Sequence, residues 1–147
     1  MEGRPQEDER ESRLILVDSS VWIDFFSFSP GHAGHALRRM IEEAEPFALT
    51  GVVVAEVLQG LTRDASRVEE YLAMWEMLEP SGFPTYREAA TIFRVARSKG
   101  ISLTTVDTLI AAIAIEYDAS LFSLDKDFAR VARITPLRLY RLPETAP

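Results

Sequence analysis

The sequence predicts an α/β fold: a central, mostly parallel sheet with helices packed on both faces. Three observations predict it. Short apolar runs alternate with helical segments along the whole chain, the pattern of parallel strands joined by crossover helices. Two of those runs, "LILV" and "SLFSL", lead straight into an aspartate, Asp18 and Asp125. In open α/β sheets, sites form outside the carboxyl ends of the strands. At 147 residues with 47% apolar and 27% charged composition, the chain has material for one well-cored domain.

The elements follow in order. Residues 1–13, "MEGRPQEDERESR", are polar and lack an apolar stretch, so a disordered tail is expected there and a secretory signal is not. The domain is expected over 14–142, with 143–147 as a C-terminal tail. Leu14 to Asp18 reads as the first strand and Ser20 to Phe26 as a helix. "SFSPGHAGH" is punctuated by Ser, Pro and Gly and reads as a loop. A helix from about Ala36 to Ala44 stops before Pro46, and "FALT" is the second strand. "GVVVAEVLQGL" and Ser66 to Leu78 read as helices, and "EPSGFP" breaks the second of them. Tyr86 to Lys99 is helical, with Gly100 in the position that favours a left-handed residue. Thr104 or Thr105 caps a helix reaching about Tyr117. Ser120 to Leu124 is a strand, Phe128 to Arg133 a short helix, and Leu137 to Leu142 an edge strand.

Charge and composition narrow the chemistry. The net charge is −7, of which the first 13 residues hold five acids and three arginines. The remaining −5 argues mildly against a protein that grips nucleic acid through bulk electrostatics. It does not exclude a nucleic-acid enzyme whose acids bind cations. No cysteine is present, so disulfides and thiolate metal sites are ruled out, and a cytoplasmic location is expected. The longest apolar runs fall far short of the ~20 residues that a bilayer needs. No GxxxxGK[ST], GxGxxG, GxSxG or HExxH occurs. "HAGH", with His32 and His35, reads as surface loop rather than as a metal site. Grouped carboxylates remain, and these favour a bound cation.

Each acid has a plain structural reading beside the functional one. Asp18 and Asp125 suit a helix N-cap or an Asx-turn. Asp107 suits the first turn of its helix, where a negative charge is favoured by ~0.3–1 kcal/mol. Yet Leu109 to Ile115 is apolar nearly all round, so this helix is expected to be buried, with Asp107 at the edge of the core. Glu56 lies off the apolar face of Val53, Val54, Val57, Leu58 and Leu61, and by periodicity reads as a solvated glutamate. Asp127 suits a cap for the helix at Phe128. Asp24 points away from the stripe of Val21, Trp22, Phe25 and Phe26 and is given no direct role. Arg63, Arg67, Arg94, Arg97, Lys99, Arg130 and Arg133 are candidate rim cations for a polyanion, although such residues mostly decorate solvated faces.

Taken together, "ILVDSSVWIDFF", "LTGVVVAEVLQGL" and "TTVDTLIAAIAIEYDASLFSLDKDF" resemble the PIN domain, and within it the VapC-type toxin ribonucleases of toxin–antitoxin pairs. The resemblance runs from about Leu14 to Leu142 and lies in the order and spacing of the motifs. It implies a three-layer α/β/α fold and an acidic pocket. The family's acids fall on Asp18, Glu56, Asp107 and Asp125, with Asp18 and Asp107 as the direct metal ligands. The supporting hydroxyl falls on Ser19 or Ser20, Ser20 being preferred, and Asp127 is a supporting acid. The resemblance thus sets aside the periodicity reading of Glu56. It also implies Mg²⁺ or Mn²⁺ as cofactor, RNA as substrate, an antitoxin partner, a homodimer and no membrane partner.

Two other phosphoryl hydrolase patterns fit less well. A haloacid-dehalogenase-like phosphatase needs a second aspartate at the position held here by Ser20. A receiver domain needs paired acids that "LVDSS" lacks. The rival of another class is a catalytically degenerate PIN domain that only binds RNA or a partner.

Overall fold

A computed structural model describes residues 14–142. The expected tails at 1–13 and 143–147 lie outside the described residues. Five short strands form one parallel sheet: β1 (Ile15–Val17), β2 (Phe47–Thr50), β3 (Met77–Leu78), β4 (Ser120–Phe122) and β5 (Arg138–Leu139). Their spatial order is β3-β2-β1-β4-β5. Leu16 pairs with Ala48 on one side and Leu121 on the other.

The helices are α1 (Ser19–Phe26), α2 (His32–Glu42), α3 (Gly51–Gln59), α4 (Ala65–Leu72), α5 (Phe83–Ser98), α6 (Thr105–Glu116) and α7 (Asp127–Ala132). The strand order explains the layers. From β1 the chain winds outward to β2 and β3, then crosses back and winds the other way through β4 and β5. Right-handed crossovers in opposite directions place helices on opposite faces of a sheet. The winding reverses between β1 and β4, which is the switch point where ligand sites of such sheets form.

The core sits on the central strands. Leu16, Val17, Leu49 and Leu121 are fully buried, as are Trp22, Leu37 and Ile113 from the helices around them. Each such side chain contributes about 1.5–3 kcal/mol by leaving water. Trp22 stacks on Phe26 and meets Phe25 and Tyr71 edge-on, while Phe47 lies against Trp75. Val68 and Leu72 are therefore core, with Tyr71 and Trp75 half-buried around them.

Several boundaries differ from the sequence reading. "HAGH" is the first turn of α2 rather than a loop. Its helix N-terminus is capped from outside: the Asp24 carboxylate accepts from Gly31 N at 3.0 Å and Gly34 N at 2.7 Å. Gly34 is needed there, because a Cβ would sit 2.9 Å from Pro30 Cβ and 3.1 Å from the Asp24 backbone carbon. The segment read as one helix from Ser66 to Leu78 ends at Leu72, and Met77–Leu78 joins the sheet edge beside β2. Helix α5 begins at Phe83, with Pro84 in its first turn, where the missing N–H costs nothing. The last strand shrinks to two residues because only Arg138 and Leu139 pair with β4. Gly100 takes φ +79° after α5, as its position predicts.

Candidate active site at the sheet rim

Asp18 follows β1 at the switch point. Its backbone N donates to Phe122 O at 2.9 Å, which locks it to the end of β4. It holds the N-cap position of α1, yet its side chain makes no capping bond. Instead Oδ2 accepts from Ser20 Oγ at 2.9 Å and from Ser123 Oγ at 2.7 Å. The residue is only 5% exposed. A buried carboxylate needs partners, and here they are two hydroxyls, with no lysine or arginine in ion-pair reach among the described residues.

The two serines after Asp18 divide the work. Ser20 holds Asp18, while Ser19 Oγ donates to Glu56 Oε1 at 2.8 Å. Glu56 is half-buried on α3 rather than solvated. Helix α3 follows β2 directly, so its first turns lie at the same carboxyl edge of the sheet.

Asp125 lies on the far side of the switch point, three residues beyond β4. Its backbone N donates to Ser123 Oγ at 3.0 Å, and its Oδ1 accepts from Asp127 N at 2.9 Å in an Asx-turn. That turn starts α7, so Asp125 caps the helix and Asp127 does not; Asp127 faces Arg130 at 3.6 Å. Ser123 therefore bridges Asp18 and the Asp125 backbone, a role that the sequence reading missed. Its only signal was a serine two positions before Asp125, spaced as Ser20 is from Asp18.

Asp107 opens α6, with the capping box that its sequence suggested. Asp107 N donates to Thr104 Oγ1 and Thr104 N to Asp107 Oδ2, both at 3.1 Å. A helix feeding a parallel strand runs antiparallel to it, so the α6 N-terminus returns to the carboxyl edge of β4. The cap occupies Oδ2 and leaves Oδ1 without a hydrogen bond. Between α5 and α6 a groove of about 400 Å³ is lined by Tyr86, Phe93, Arg94, Thr105 and Leu109.

Hydrogen bonds thus tie Asp18, Glu56 and Asp125 into one rim, and Asp107 enters from α6. Among the described residues, however, no group of three or more His, Cys, Asp or Glu side chains lies close enough to hold a metal ion. The donor chemistry suits a hard divalent cation, being carboxylate and hydroxyl oxygen with no sulfur. Asp18 Oδ1 accepts no protein hydrogen bond and is not sealed from solvent. Asp18, as an anion without a cationic partner, fits such an ion.

The PIN domain family matches residues 15–134. The chain belongs to this family. Ribonuclease VapC11 of Mycobacterium tuberculosis is 33% identical over 129 residues, covering 85% of this chain and 96% of that protein. The crystal structure of VapBC2 from Rickettsia felis, bound to a DNA fragment from its promoter, superposes with a TM-score of 0.70 at 19% identity, over 86% of this chain and 97% of that one. A toxin–antitoxin complex from Klebsiella pneumoniae gives a TM-score of 0.59 at 25% identity, over 85% and 99% of the two chains. The PIN assignment accords with the parallel five-stranded sheet and with acids at its carboxyl edge. Among the described residues no helix is long and apolar enough to cross a membrane.

Proposed function

We propose that this PIN-domain protein is a VapC-type endoribonuclease, the toxin of a type II toxin–antitoxin pair acting in the cytoplasm, and that it works with Mg²⁺ or Mn²⁺. The observation that carries the reading is Asp18: a buried carboxylate at the topological switch point, held on one oxygen by two hydroxyls and facing no cation of its own. The kinship to ribonuclease VapC11 supports the substrate class.

In this reading Asp18 and Asp107 hold the ion, each keeping one oxygen free of protein hydrogen bonds. Glu56 and Asp125 complete the acidic ring. A bound divalent ion supplies water activation and neutralises charge on the phosphate. Ser19 fixes the Glu56 carboxylate so that Oε2 is left to accept a proton or a water hydrogen bond. Asp127 supports the turn that presents Asp125. RNA is the substrate, a cognate antitoxin is the silencing partner, and two copies form the working dimer. The toxin–antitoxin complexes among the structural neighbours support the antitoxin partner.

One observation favours a second reading. The acids are not drawn into a group that would hold a metal, as expected of a PIN domain that binds RNA or a partner without cutting. Incubating the purified protein with mixed RNA in Mg²⁺, Mn²⁺ or EDTA separates the two. Cleavage that EDTA abolishes supports the nuclease, and RNA retention without fragments supports the binder.

A further inference from the structure

We propose that Ser123 is a positioning residue for Asp18: together with Ser20 it saturates Oδ2 of that carboxylate and leaves Oδ1 as the oxygen offered to a divalent cation. The inference rests on the reading of Asp18 as a metal ligand.

The direction of every bond in the cluster is fixed by chemistry. A backbone N–H can only donate, and a serine hydroxyl has one proton to give. Ser20 Oγ accepts from Leu124 N at 2.9 Å, so its proton goes to Asp18 Oδ2 at 2.9 Å. Ser123 Oγ accepts from Asp125 N at 3.0 Å, so its proton goes to the same oxygen at 2.7 Å. The two hydroxyls stand 3.4 Å apart and need no bond to each other. Two donors therefore converge on Oδ2, while Oδ1 receives none and remains open to solvent.

The consequence is directional. An oxygen that already accepts two hydrogen bonds has little lone-pair density left for a cation, whereas its twin is uncommitted. The carboxylate is held against rotation from both sides of the switch point, by Ser20 on α1 and Ser123 at the end of β4. Ser123 further ties this orientation to the backbone of Asp125, so the two acids are set together. Partners of this kind, behind a metal ligand, typically change metal affinity by ~10–100-fold when removed.

The test is Mn²⁺ binding to the full chain by titration calorimetry, with folding checked by circular dichroism. Wild type should bind Mn²⁺ saturably, and Ser123→Ala should bind about tenfold more weakly or worse. Ser123→Thr should restore binding, since it returns the hydroxyl. Ser98→Ala, on an exposed hydroxyl bonded only to Val95 O, should match wild type. A folded Ser123→Ala with wild-type affinity overturns the proposal, as does Ser123→Thr as weak as Ser123→Ala. Should Ser123→Ala not fold, Ser20→Ala carries the same test, because it removes the other donor to Oδ2, and wild-type affinity there overturns the shared-oxygen geometry. Absence of saturable Mn²⁺ binding by wild type is a different failure: it removes Asp18 as a metal ligand, and the proposal with it.

Discussion

Ser19 Oγ donates to Glu56 Oε1 at 2.8 Å, so the residue after the first-strand aspartate anchors a carboxylate 37 positions away. Ser19→Ala removes a half-buried hydrogen bond to a charged group. The expected cost is about 1–2 kcal/mol of stability, read in urea melts, with a larger fall in RNA cleavage than that small destabilisation explains. Activity unchanged in Ser19→Ala would dissociate Glu56 from the working site.

The cap on α2 should be mechanically separable from the rim. Asp24→Ala leaves Gly31 N and Gly34 N without their acceptor and should cost about 1–2 kcal/mol. Gly34→Ala should cost about 1–3 kcal/mol, since the added Cβ meets Pro30 and the Asp24 backbone. The double variant should cost less than the sum, because one of the Cβ contacts is the Asp24 carboxylate itself at 3.0 Å. Thermal melts of the four proteins measure this, and metal binding should be the same in all that fold.

Asp107 carries two duties that substitution can divide. Thr104→Ala removes half of the capping box and should cost about 1 kcal/mol while leaving the carboxylate. Asp107→Asn keeps an acceptor oxygen for Thr104 N but loses the charge. It should fold as wild type by circular dichroism and lose RNA cleavage by about 100-fold or more. The opposite ranking would make Asp107 a helix cap and nothing else.

Alkaline pH should weaken the fold through the aromatic layer. Burial raises the Tyr71 phenol above its usual value, with Arg38 opposing, and burial also raises Tyr140, aided by Glu45. A folded-state value above the unfolded one means that the folded chain holds the proton longer. Stability is therefore fully present below the unfolded value of about 10 and falls as pH rises through the raised values. Denaturant midpoints measured across that window should decline, and Tyr71→Phe should shallow the decline.

Local signals carried the fold well where the physics is local. The apolar runs at Leu14–Val17 and Phe47–Thr50, the Thr104 cap and Gly100 all stand as their sequence predicts. The misreadings share one cause, a partner distant in sequence. The Pro30-Gly31 punctuation suggested a loop through "HAGH", but Asp24 on α1 supplies the missing cap for a helix there. Glu56 looked solvated by periodicity because Ser19, the residue that holds it, comes from another element. The bridge through Ser123 requires β1 and β4 to be neighbours, which strand order decides and no short window reveals. For Asp107 and Asp125 the plain readings hold as geometry, since each makes its predicted capping or turn bond. A bond on one carboxylate oxygen leaves the other free for chemistry, so those readings do not compete with a functional one.

The most direct measurement is cleavage of a mixed pool of transfer, ribosomal and messenger RNA by wild type and by Asp18→Asn, in Mg²⁺, Mn²⁺ and EDTA. The account predicts discrete fragments with either ion, none with EDTA, and none from a folded Asp18→Asn. Fragments of equal yield from Asp18→Asn, or cleavage that persists in EDTA, would contradict it.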